Sequence, residues 1–269
     1  MIKQRRRQAT YYIYALITSV LMINLCYAED PSDWSSQMSL LNSSSKLEKL
    51  DAAGESFFGV LNEETTSTSK GHMLILHGHH QHPDWADVIR PIRTLLPKHG
   101  WATLAIEMPL AGKEAREKDY IALKDKSTAR ILAAQTLLQS KGSKNIIVIA
   151  YGLGARMAVD WLSKTPQSPV TALIIISMGD GMKDGGLDSN TDLLKVNIPI
   201  LDIYAENDES YVLKAAKDRT KQRSSIKNYR QLEILATDQF YSHHEDEIIK
   251  RIRGWLNVTY KTKQNNNRK

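Results

Sequence analysis

Three sets of residues in this sequence have the types and spacing that do chemistry. Ser177, Asp208 and the pair His243–His244 follow one another along the chain, and a serine, a carboxylate and an imidazole are the parts of an acyl-transfer triad. In such a triad the oxygen attacks, the imidazole takes its proton and the carboxylate holds the imidazole in place. A second set, His77, His79, His80 and His82, offers four imidazoles in six residues, a donor set suited to zinc. The third is the stretch Ala150-Tyr151-Gly152-Leu153-Gly154, which follows the β-branched run Ile146 to Ile149 and passes into a helical pattern. A buried strand, a sharp turn with a strained central residue and then a helix make a nucleophile elbow. The attacking serine belongs at the centre of that turn, where this chain has Gly152 and therefore no side chain at all.

The elements that must position these residues alternate along the chain. Apolar strands are expected at His72–His77, Trp101–Glu107, Ile146–Ala150, Val170–Ser177, Ile198–Ala205 and Tyr229–Ala236. Helical spacing of apolar residues places helices over Asp84–Leu96, Ser127–Gln139, the segment after Gly152 as far as Lys164, Tyr211–Arg223 and His244–Leu256. Strands alternating with helices of this length are parallel strands joined by helical crossovers. The strands lack period-2 alternation, as a sheet covered on both faces requires. Phe57–Leu61 is expected to be an edge strand, followed by a polar hairpin or loop at Glu63–Lys70. The expected class is α/β, with a mostly parallel central sheet and helices on both faces.

The N-terminus has the marks of an export signal. Lys3, Arg5, Arg6 and Arg7 precede a mostly apolar run from Tyr11 to Tyr27, and the polar stretch begins after Ala28. A basic head, a short apolar body and a small residue before the boundary describe a secretory signal peptide cleaved after Ala28, which directs the chain to the periplasm. An uncleaved anchor is the rival, although the run is shorter than the ~20 residues of a spanning helix and contains Asn24. The expected organisation is a signal peptide at 1–28, a surface segment at 29–56 with a short helix near Leu47–Leu50, one domain at 57–260, and a basic disordered tail at 261–269.

Charge excludes one class of partner. The net charge of +6 falls to +2 once residues 1–28 are set aside, and residues 261–269 contribute +4 of that, so the body is near −2. A nucleic-acid surface would need a basic patch on the folded domain, and none is expected. The single cysteine, Cys26, falls in the signal, so no disulfide framework supports the remainder.

From about Phe57 to Leu256 the chain resembles the α/β-hydrolase superfamily and, more narrowly, a proteobacterial envelope family of unknown function with that fold. The segments that carry the resemblance are HPDWADVIRPIRTLLPKHGWATLAIEMP, the serine-less AYGLGA, LDIYAEND and IKRIRGWL. The resemblance implies that the loop after His77 supplies oxyanion or ligand donors through the backbone of Gly78 and His79, together with Leu153 after the elbow. It implies that Asp208 is the orienting acid and that a histidine should stand where the chain has Gln239.

Gly152 supplies no nucleophile and Gln239 no base, so the expected protein is non-catalytic. Its ligand would be a small molecule, glycan or lipid, or an envelope protein partner, held in the former active-site cleft, and the membrane would be met only through the signal segment. The alternative is an esterase- or amidase-like hydrolase in which Ser177, or a metal-bound water, acts with His243 and Asp208. The plainer reading of His243 and His244 is that they cap a solvated helix, and that of Ser177 is a turn former. No cofactor is expected. The one rival is zinc on His77, His79, His80 and His82, joined by His243, His244, Asp84 or Asp180; against it, His77 has the position of a strand-end residue bonding the loop backbone. The Gly/Asp-rich loop Met178–Asp192 is expected to be a flexible lid.

Overall fold

The structure is a computed structural model; it describes residue 34 and residues 44–112, 114–180, 187–226 and 228–266. Its centre is an eight-stranded sheet in the order β1-β2-β4-β3-β5-β6-β7-β8. The strands are β1 (Ser45–Ala52), β2 (Glu55–Asn62), β3 (Gly71–Leu76), β4 (Trp101–Ile106), β5 (Ile146–Tyr151), β6 (Val170–Ile176), β7 (Ile200–Asn207) and β8 (Tyr229–Asp238). β1 and β2 are antiparallel to their neighbours, and β4 through β8 pair in parallel. The helices are α1 (Ile89–Leu95), α2 (Glu117–Ile121), α3 (Lys124–Ser140), α4 (Leu153–Lys164), α5 (Ser189–Leu193), α6 (Ser210–Gln222) and α7 (Glu245–Asn266).

The apolar strands bury both faces, as their lack of alternation demands. In β3, Leu74 and Leu76 pack with Ile131, Ala134 and Leu138 of α3 and with Val159 and Trp161 of α4. Met73 and Ile75 point the other way, to Ile89 and Ile92 of α1 and Ile248, Ile252 and Leu256 of α7. Each completely buried side chain of this size contributes about 1.5–3 kcal/mol, which makes these two layers the main source of stability. A fully buried ion pair adds specificity on the far side. Arg219 of α6 donates from Nε to Asp202 of β7 at 2.7 Å, and from Nη1 to the Met178 carbonyl at 2.9 Å. The hydroxyl of Tyr229 also donates to Asp202. Helix α6, strand β7 and the start of the loop after β6 are thereby joined at one point.

Several expectations are corrected. Residues 45–52, placed in a surface segment with a short helix near Leu47–Leu50, form the edge strand β1. The i, i+3 spacing of the two leucines suggested a helix. Pairing with β2 across the turn at Ala53 and Gly54, both with positive φ, makes the segment a hairpin in which Leu50 is buried and Leu47 is not. The strand over Phe57–Leu61 is accordingly interior rather than an edge. Helix α1 starts at Ile89 instead of Asp84, α5 begins within the loop expected at Met178–Asp192, and α2 lies in a segment for which no element was expected. Helix α7 continues beyond Leu256 to Asn266, into the segment expected to be a disordered tail. The signal peptide at 1–28, much of the segment at 29–56 and residues 181–186 of the expected lid lie outside the described residues. Within the described residues, no helix is long and apolar enough to cross a membrane.

Candidate functional site

In a parallel sheet, functional side chains gather where the strands end, and the loops after β3, β5, β6, β7 and β8 meet here around one cleft. Its lining includes Gly78–Gln81 and Trp85 after β3, Tyr151 and Gly152 at the end of β5, Ser177 after β6, Asp208–Val212 in part after β7, and Gln239 and Phe240 after β8. The cleft holds about 480 Å³.

The turn into α4 has the strain of a nucleophile elbow without the nucleophile. Gly152 sits at φ 54, ψ −119, and its N–H donates to the Ile176 carbonyl at 2.9 Å. That region of backbone space costs an L-residue about 1–3 kcal/mol, so glycine relieves the turn of its strain. A side chain would nevertheless have room, because a Cβ at Gly152 would meet only the Gly78 Cα, at 3.8 Å. Two residues on, Gly154 is needed for a different reason. A Cβ there would overlap the His77 carbonyl oxygen and lie 2.9 Å from the Leu76 carbonyl, because α4 starts directly against the end of β3. Gly154→Ala is therefore expected to cost about 1–3 kcal/mol through backbone displacement, measured as a lowered urea midpoint with an unchanged slope.

The loop after β3 is held by its own side chains. His77 is fully buried, its Nδ1–H donating to the Gly78 carbonyl at 2.8 Å while Nε2 accepts from the Met108 N–H at 2.9 Å. Both nitrogens are committed, and burial pushes the imidazole down to about 3, so it stays neutral. The Gly78 N–H, the expected oxyanion donor, donates instead to Oε1 of Gln81 at 2.8 Å. This internal cap follows from no motif and was not anticipated. His79 is exposed at the cleft, its imidazole pushed down by desolvation from the surrounding loops and then by His80. His80 donates from Nε2 to the Ala115 carbonyl and accepts on Nδ1 from the Tyr120 hydroxyl, each at 3.2 Å. His82 is buried between rings, stacked on Trp34 at 6.0 Å and edge-on to Trp85 at 5.4 Å, and its Nδ1 accepts from the Asp84 N–H.

Those partners overturn the zinc arrangement. Among the described residues, no group of three or more His, Cys, Asp or Glu is placed to hold a metal ion. Asp84 pairs with Arg93 and, at 3.0 Å, with Arg90, while Arg93 continues to Asn62 at 2.6 Å. Asp180 accepts from the Asn190 N–H at 3.3 Å. His77, His80 and His82 each hydrogen-bond a different part of the backbone, while the His79 ring lies exposed, 5.2 Å from that of His80.

Ser177 and Asp208 do meet, although without an imidazole. The Ser177 hydroxyl donates to Asp208 Oδ2 at 2.5 Å and accepts from the Tyr241 hydroxyl at 2.8 Å. The backbone N–H groups of Ala205 and Glu209 also donate to the Asp208 carboxylate, at 3.1 and 2.9 Å. Burial pushes the Asp208 carboxyl above its usual range in spite of these bonds. Ser177 and Tyr241 both carry positive φ, 48° and 55°. The group therefore reads as a tie between the ends of β6 and β7 and the loop after β8. His243 is exposed, with its backbone N–H on Glu245 Oε1 at 3.2 Å, and His244 bonds the Ser242 carbonyl at 3.0 Å, the helix-start role expected of them. Gln239 borders the cleft where a histidine was expected. Its carbonyl accepts from the Tyr151 hydroxyl at 2.9 Å, and its amide reaches Glu209 at 3.5 Å. The aromatic walls, Trp85, Tyr151, Tyr211 and Phe240, were also missed, although three of them lie within a few residues of a strand's end and could have been found by reading the loops for rings.

Comparison with known proteins agrees with this fold. A family model described as "Protein of unknown function (DUF3530)" matches residues 28–128 and 111–258. No curated protein matches the sequence. Among solved structures, the chain is similar to Est1E from Butyrivibrio proteoclasticus, with a TM-score of 0.64 and 17% identity over 80% of this chain and 98% of that one. It is similar to the Pyrococcus furiosus esterase Pf2001 at a TM-score of 0.66 and 16% identity, over 80% and 90%. XC6422 from Xanthomonas campestris, a serine hydrolase of this fold without a lid, gives 0.61 and 13% over 81% and 96%. At these identities the likeness speaks for the α/β-hydrolase fold alone.

Proposed function

We propose that this chain, which belongs to the DUF3530 family and has the α/β-hydrolase fold, is an exported, non-catalytic protein that binds a ligand in the former active-site cleft. The observation that carries the reading is the elbow itself. Its strained backbone and the space for a side chain are kept, yet residue 152 is glycine. Two further features support it. Gln239 lines the cleft in the segment where the resemblance would put the base, and Gln81 caps the Gly78 N–H. Removing nucleophile and base together takes away the parts on which triad catalysis depends. What remains is a cleft of a size that accepts a small ligand. Export to the periplasm rests on the basic head and apolar run of residues 1–28.

A second reading is favoured by the esterase neighbours and by Ser177, which borders the cleft with strained backbone. In that reading Ser177 attacks an ester and Asp208 takes its proton. Ser177 is 4% exposed, its hydroxyl has two partners already, and no imidazole bonds to it among the described residues, so the first reading is preferred. One experiment separates them. The purified protein is incubated with a fluorophosphonate probe and p-nitrophenyl esters of short and long acyl chains, and any adduct is located by mass spectrometry. The expected result is no adduct and no turnover above buffer; an adduct on Ser177 with turnover would establish the hydrolase instead.

A further inference from the structure

The cleft combines aromatic walls with a one-signed electrostatic field. Trp85, Tyr151, Tyr211 and Phe240 border it, and Tyr211 and Phe240 are 50% and 43% exposed, large for rings of a folded core. Asp208 and Glu209 are also in its lining, which contains no lysine or arginine. Two more carboxylates stand behind the walls. Asp87 accepts from the Trp85 indole N–H at 3.1 Å, and Asp238 caps the Phe240 N–H at 3.0 Å. The Tyr151 hydroxyl registers the result: beyond burial, the charges that hold it protonated include Asp208, Asp87 and Asp238. Tyr211 feels Glu209 and Asp208 in the same sense, opposed only by Arg156, which is buried and outside the cleft lining. Burial, then His80, pushes the His79 imidazole down, and the His80 ring nitrogens face the Ala115 carbonyl and the Tyr120 hydroxyl.

An anionic ligand would meet the carboxylates of Asp208 and Glu209 with two more behind the walls, and a capped backbone donor. A cation gains twice, from the carboxylate field and from the negative faces of aromatic rings, which attract an ammonium group most strongly where water is excluded. Resting on the reading of the cleft as a binding site, we propose that its ligand carries an organic ammonium group on a small apolar body, seated among the rings of Trp85, Tyr211 and Phe240 with Glu209 at the rim. The position vacated at Gly152 gives the ligand's body room that a serine side chain would have filled. The arrangement also accounts for the partnership of Gln239 with Glu209, since the amide holds that carboxylate at the cleft without neutralising it.

Choline and its uncharged isostere, 3,3-dimethylbutan-1-ol, make the test direct. Saturation-transfer NMR and tryptophan fluorescence on the purified protein would report both, with trimethylacetate as the anionic control. Choline is expected to bind about tenfold more tightly than the isostere, and trimethylacetate to give no signal. Glu209 lies exposed at the start of α6, so Glu209→Gln preserves the fold; it should weaken choline several-fold and leave the isostere unchanged. Tyr211→Leu should weaken choline as well, while Lys217→Gln on the same helix should not. Equal binding of choline and the isostere, or no binding of choline, overturns the cationic ligand. Selective binding of a neutral glycan or of trimethylacetate would overturn it while leaving a non-catalytic binding cleft intact, whereas ester turnover would remove the binding-protein reading itself.

Discussion

A double variant, Gly152→Ser with Gln239→His, is expected to hydrolyse p-nitrophenyl acetate at a rate on the order of 10² or more above the wild-type background, the scale of a positioned base acting on an activated hydroxyl. The argument is geometric. The elbow holds residue 152 at φ 54, ψ −119, and the nearest atom to a Cβ there is 3.8 Å away, so a serine side chain enters the cleft without collision. It must bear about 1–3 kcal/mol of backbone strain, which lowers stability but leaves the fold in place. Residue 239 borders the same cleft and Asp208 remains as the acid. Gln81 sets the limit on the rate, because its side chain occupies the Gly78 N–H. Adding Gln81→Ala to the double variant should raise kcat further by about 10-fold or more, as a freed backbone donor becomes available to the oxyanion. Each single variant should remain inactive. Fluorophosphonate labelling at residue 152 in the double variant, and nowhere in the wild type, would check the assignment independently of rate. If the double variant folds, as judged by circular dichroism and urea unfolding, yet neither labels nor turns over, the cleft is not a vacated triad.

The second large effect is on stability in mild acid, and its source is His77. Its folded-state pKa is pushed down to about 3 from an ordinary 6.5, first by burial. A base with a depressed folded pKa binds fewer protons folded than unfolded. The stability tied to its neutral form is therefore complete above about 6.5 and is lost as pH falls towards 3. The slope approaches 1.4 kcal/mol per pH unit, so bringing the protein from pH 7 to pH 4.5 should remove roughly 2–3 kcal/mol through this residue alone. Asp208 acts in the opposite sense: its folded pKa is raised, so its contribution is present at low pH and lost as pH rises through that value. His77→Gln is the informative variant. A glutamine oxygen can still accept from the Met108 N–H, so the variant costs some stability at pH 7 but should lose most of the decline between pH 7 and pH 4.5. Urea titrations at both pH values on both proteins would measure it, and parallel declines in wild type and variant would show that His77 is not the group responsible.

Much of this molecule is local in origin. The β-branched run at Ile146–Ile149, the glycines at 152 and 154 and the apolar spacing beyond them encode strand, turn and helix within about twenty residues, so the elbow and the missing nucleophile were legible in one dimension. The same holds for the buried strands, whose continuous apolar runs allow only a sheet covered on both faces. Those features need no partner from elsewhere in the chain to be what they are.

The site's working parts are of another kind. Ser177, Asp208 and Tyr241 are separated by 31 and 64 positions from the serine, and only the parallel packing of β6 and β7 with the loop after β8 makes them one hydrogen-bonded group. The four loop histidines resemble a metal site in sequence. In space three of them are spent on other partners, because a buried polar group must be satisfied: His77 bonds the Gly78 carbonyl and the Met108 N–H, His80 the Ala115 carbonyl and the Tyr120 hydroxyl, and His82 the Asp84 N–H. Residues 45–52 became a strand for the same reason, since pairing with β2 satisfies a backbone that a solitary two-leucine helix could not bury. Sequence determined the fold, the strand–turn–helix at residues 146–164 and the glycine at its centre. Tertiary structure alone decided which side chains face the emptied cleft, because that depends on hydrogen-bond partners and neighbouring loops that are distant along the chain.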